Sequence, residues 1–139
     1  MIAATLLLAQ ASVGASEVAP TAARRVVETY YAAIERGHYR TAFRLWSSDG
    51  RASGQRYAAF VHGFARTAHS AVVTGRPSHQ EGAAGSVYVT VPVTVGAVLK
   101  DGTRQRFRGT YTLRRVNGVP GATREQLRWR IAAARLRPA

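Results

Sequence analysis

The sequence predicts an α+β fold: three N-terminal helices packed on a curved four-stranded antiparallel sheet. Three observations lead to it. Up to about residue 67 apolar residues recur with helical spacing, whereas from residue 68 onward they alternate, the period of strands with one buried face. A chain of 139 residues is enough for one substantial core, and no repeat or low-complexity linker divides it. Helices gathered at one end and strands at the other pack as two layers, unlike the interleaved pattern of a parallel α/β sheet.

The opening stretch "MIAATLLLAQASVGASEVAP" reads as lying outside the fold. Residues 2–9 are apolar over the length of a secretory core segment and fall short of a membrane span. Val13, Gly14 and Ala15 before Ser16 match a small-x-small cleavage site, with Ala9-Gln10-Ala11 as a second choice. No Lys or Arg follows Met1, so the basic flank of such a leader is missing. The reading is a signal peptide over 1–15, a linker over 16–20 and a single domain over 21–137, which places the mature protein in the periplasm or outside the cell.

The first helix starts near Pro20-Thr21, and Ala23, Val26, Val27, Tyr30, Ala33 and Ile34 share its apolar face. Glu28 and Glu35 fall on the outer side, and Gly37 supplies the stop by accepting a left-handed backbone. A second, shorter helix from about Tyr39 to Trp46 buries Ala42, Phe43 and Trp46. After "SSDGRASG" a third helix covers about Gln55 to Thr67, with Tyr57, Phe60, Val61 and Phe64 inward.

The strands follow. "HSAVVTG" is the first, and "SVYVTVPVTVGAVL" is a long second one whose Val87, Val89, Val91, Val93 and Val95 point one way. Pro92 and Gly96 imply a bend, a bulge or an edge position. The turn "KDGT" leads into "RQRFRGTYTLRRV", where Phe107, Tyr111 and Leu113 face inward and Arg104, Arg106, Arg108 and Arg114 face outward. "NGVPGATREQ" reads as a loop, and "LRWRIAAARL" is the last strand, with Leu127, Trp129 and Ile131 inward and Arg128 and Arg130 outward.

Composition removes several chemistries. The absence of cysteine rules out disulfides, thiolate zinc sites and cysteine nucleophiles. The formal charge is +13, and of 20 basic residues only Lys100 is a lysine. That balance suits an anionic polymer or lipid headgroups, and equally a solvated surface in an arginine-rich chain.

The order of helix, short helix ending in tryptophan, third helix, strand, bent hairpin and terminal "WRI" strand resembles the nuclear transport factor 2-like superfamily of cone-shaped α+β folds. The stretches that carry the likeness are "VVETYYAAIERGHYRTAFRLW", "GQRYAAFVHGFA", "GTYTLRRVNG" and "LRWRIAAARL". The resemblance implies a cavity between the helices and the concave sheet. In catalytic members it also implies an interior carboxylate or histidine acting as general base. This chain departs from that pattern, since Glu17, Glu28, Glu35, Asp49, Glu81, Asp101 and Glu125 all fall in the leader region, on the outer helix side or in turns.

No catalytic residue is therefore assigned. His79 and Glu81 form a His-x-Glu pair, but no third ligand stands at metal spacing, so no metal and no cofactor are expected. Tyr30, Trp46, Tyr57, Tyr111 and Trp129 are the candidate pocket-lining residues, because a buried Tyr or Trp carries a polar tip needing a partner. Strand alternation puts Arg104, Arg106, Arg108, Arg114, Arg128 and Arg130 on one anion-attracting sheet face, with Arg106 and Arg130 expected to matter most. The leading function is a non-catalytic exported domain binding a small apolar ligand or a protein partner of the cell envelope. The alternatives are a cyclase, isomerase or dehydratase of the same superfamily, and a basic-surface module for an anionic polymer or lipid headgroups. A monomer or weak homodimer is expected, because such a surface resists self-association.

Overall fold

The computed structural model describes residues 11–139, so most of the expected signal peptide lies outside the described residues. Helix α1 is a single turn over Ala15–Val18, followed by α2 over Pro20–Glu35. Pro20 opens α2 where its missing N–H costs nothing, and Gly37 turns left-handed at φ 72° just beyond its end. Helix α3 spans Tyr39–Arg44, a 3₁₀ turn covers Arg51–Ser53, and α4 spans Tyr57–His62. The last of these is shorter than the periodicity predicts: it stops at Gly63, and Phe64 packs from the turn beyond it, stacked on Tyr39 at 5.7 Å between ring centroids.

Five strands form one antiparallel sheet: β1 (Thr67–Thr74), β2 (Glu81–Ala83), β3 (Ser86–Leu99), β4 (Arg104–Val116) and β5 (Arg130–Pro138). The path runs β1-β3-β4-β5, and β2 lies beside the start of β3. The expected four strands are thus joined by Glu81–Ala83, too short to show alternation, and the N-terminal helices are joined by α1 and by α5 (Arg124–Leu127). In α5 the Thr123 hydroxyl accepts from the Gln126 amide while the Gln126 side chain accepts from the Thr123 amide, a reciprocal cap that turns the expected strand start into a helical turn.

The valine row is buried as the alternation requires, from Val87 to Val95. Pro92 sits where the β1 ladder ends at Thr74 opposite Val93, so its missing N–H removes no strand bond, while its carbonyl accepts from Gly75. Beyond β5 the sheet gains one parallel bridge between Trp46 and Ile131: the Ile131 amide donates to Leu45 and the Ser47 amide to Ile131, each at 2.8 Å. That bridge ties the helical layer to the sheet's far edge.

The β4–β5 pairing contains a bulge. Leu113 pairs Ile131, but Thr112 pairs Ala133, so Ala132 is an extra residue and the parity of β5 flips beyond it. Leu136 thereby joins the apolar side, opposite Gly109, and Arg135 and Arg137 move to the outer side.

Candidate functional site

The outer face of β4 and β5 carries the densest charge. Arg104, Arg106 and Arg108 alternate along β4, spaced by about 7 Å per two residues, and Arg137 stands directly opposite Arg108. Arg135 stands opposite Thr110, and Arg114 opposite Arg130. Sequence alternation therefore located the β4 members but missed Arg135 and Arg137. A clue was present: an uninterrupted strand would have turned Leu136 outward between two inward arginines.

The two ends of this face differ. At one end Arg130, only 19% exposed, pairs with Glu125 and donates to the Trp129 carbonyl, and Arg114 donates to the Ser86 hydroxyl. Arg128 lies before β5 at the sheet's rim and pairs with Glu17 at 3.5 Å. At the other end Arg104, Arg106, Arg108, Arg135 and Arg137 are exposed and have no ion-pair or hydrogen-bond partner for their side chains among the described residues. Arg130, expected to act alongside Arg106, is thus engaged within the fold, and Arg137 takes its place as an available charge.

The expected pocket residues do not converge on one cleft. Tyr30, Trp46 and Tyr111 pack ring against ring in the core, with centroids 6.0 to 6.4 Å apart. Tyr57 is half-buried at the helical layer's margin, edge-on to Phe43 and covered by the Arg40 guanidinium. Trp129, 1% exposed, donates its indole N–H to the Ala19 carbonyl at 3.1 Å and so clamps the start of α2. Tyr31, which the helical face count passed over, is buried and shares a 2.6 Å hydroxyl–hydroxyl bond with Tyr111. Burial raises the pKa of Tyr30, Tyr31 and Tyr111 above the ordinary tyrosine value, because a phenolate there would lose its hydration.

A cleft of about 680 Å³ lies instead at the β5 edge, between the segment 44–49 and residues 125–130. Arg44, Arg114, Arg128 and Arg130 line it together with Asp49 and Glu125. None of the seven carboxylates of the chain is buried. Asp49, 75% exposed, pairs with Arg44, and His79 and Glu81 are exposed. Among the described residues no group of three or more His, Asp or Glu could hold a metal ion, and no helix is long and apolar enough to cross a membrane.

Compared with models of known protein families, with curated proteins and with solved structures, the chain gives no match.

Proposed function

We propose that this chain is a non-catalytic, exported domain of the nuclear transport factor 2-like kind that binds an anionic polymer through the outer face of β4 and β5. One observation carries the reading: five arginines, Arg104, Arg106, Arg108, Arg135 and Arg137, share one sheet face with no side-chain partner among the described residues. Like charges directly opposite on neighbouring strands destabilise a sheet. An anion laid across them relieves that repulsion. The opposite strand of this face, β3, contributes Thr94 and Gly96 beside Arg108 and Arg106, so the surface there is low and open to an extended chain. Among the described residues of β3, β4 and β5, no aromatic side chain shares the outer face at that end, Phe107 lying on the inner face, which favours recognition of repeating charge over recognition of sequence.

A small apolar ligand is less well supported, because the rings expected to line its seat contact one another. Acid–base catalysis lacks a desolvated carboxylate, every one of them being exposed or half-buried.

The test is binding to heparin over a salt series. Affinity should fall steeply with ionic strength, and the double change Arg106→Glu with Arg137→Glu should lower it by about tenfold or more at low salt. Binding that ignores both salt and the double change would refute the reading. Anionic vesicles provide the comparison surface: retention there without heparin binding would assign the face to lipid headgroups.

A further inference from the structure

We propose that the cleft at the β5 edge is a separate binding site for a small phosphate monoester. Its size, about 680 Å³, is that of a small-ligand site. Four guanidiniums line it with Asp49 and Glu125, and Glu17 reaches Arg128 from outside the lining, so the cleft keeps a net positive charge. A phosphate monoester, with three strong acceptor oxygens, can engage more of these donors at once than a carboxylate can.

The donors are also placed to be used. Among the described residues the buried Arg128 Nε–H has no acceptor, which leaves a charge-assisted donor unsatisfied beside the cleft. Arg44 and Arg130 are held by Asp49 and Glu125, exposed carboxylates that a phosphate oxygen can displace. On the opposite wall Ser48 and Asp49 are both left-handed, at φ 58° and 55°, a costly conformation for two successive residues with side chains. Their amides make no hydrogen bond among the described residues. Gly50, at φ 93°, follows them and sits against the Phe43 ring, where any side chain would overlap it. Leu45 and Trp46 supply apolar surface between the two walls for the organic part of an ester. The site uses the engaged end of the arginine row, so it goes beyond the polymer reading and survives its failure.

Phenyl phosphate is the probe, titrated calorimetrically into the full chain at low salt, with benzoate, phenol and inorganic phosphate alongside. Saturable one-to-one binding of phenyl phosphate is expected, at least about tenfold tighter than benzoate or inorganic phosphate, with none for phenol. Arg128→Gln and Arg44→Gln should each weaken it by about tenfold, whereas Arg106→Glu with Arg137→Glu should leave it within about twofold. Arg44 is on the exposed side of α3, so its variant stays folded even if loss of the Arg128–Glu17 pair loosens the N-terminal turn. Absence of saturation, unchanged affinity in Arg44→Gln, or equal weakening by the distant double change would overturn the proposal. Inorganic phosphate binding as tightly as the ester would overturn its assignment to a monoester.

Discussion

Tyr31 and Tyr111 show at the residue scale what a buried polar pair costs to break. Each hydroxyl is the other's partner at 2.6 Å, so Tyr111→Phe leaves the Tyr31 hydroxyl buried and unsatisfied. Urea unfolding should show a loss of about 1–3 kcal/mol. Replacing both by Phe should restore part of that, since no orphan remains. The same burial has a pH consequence. Tyr30, Tyr31 and Tyr111 have raised pKa values, so the folded state holds their protons beyond pH 10, the ordinary value. Stability is complete below 10 and falls as pH rises above it. Of the six tyrosines, these three should ionise only as the protein unfolds, which alkaline ultraviolet titration with and without denaturant will show.

At the scale of elements, two contacts define how the layers lock. Helix α2 lays Glu28 and Glu35 along the open edge of β1: Glu28 accepts from the Thr74 hydroxyl, and Glu35 accepts from the Ser70 amide at 2.7 Å and meets the His69 ring. Two residues that helical spacing placed on the outer side thus cover a strand edge that would otherwise invite pairing with another chain. Hydrogen bonds from Ser70 and His69 lower the Glu35 pKa from its ordinary 4.5. The stabilisation is therefore present above 4.5 and is lost as pH falls through the lowered value. Glu35→Gln should cost about 1 kcal/mol at pH 7, kept small by exposure and salt, and should flatten the acid limb of the stability profile. The second contact is Gly109 against β5, where a Cβ would overlap the Arg135 backbone. Gly109→Ala should separate these strands, lowering the melting temperature by several degrees, about 2 kcal/mol or more, and reducing heparin binding by misplacing Arg135 and Arg137.

For the whole molecule, charge dominates. With +13 overall and five arginines at one end of a sheet face that have no side-chain partner among the described residues, copies of the chain repel through that face. Sedimentation should show a monomer at low salt, with any self-association growing as salt screens the arginines. Export is tested at this scale too: the protein recovered from its native host should begin at Ser16 by mass spectrometry, and an intact Met1 would refute cleavage.

The sequence by itself determined the valine row of β3, the Asp-Gly turn, the stop at Gly37 and the outward arginines of β4. All of these follow from period and local backbone preference, which neighbours in the chain decide. Only the tertiary structure decided the rest. The extra residue at Ala132 reverses parity in β5, and nothing local in Ile131-Ala132-Ala133-Ala134 marks it: its effect is to put Arg135 and Arg137 on the outer face and Leu136, still 39% exposed, opposite Gly109. Arg130 falls silent because α5 brings Glu125 to it, and the edge cleft exists because the Trp46 bridge holds a helical loop against β5. A single strand's alternation says which side a residue faces, whereas charge partners and clefts depend on what another segment places there.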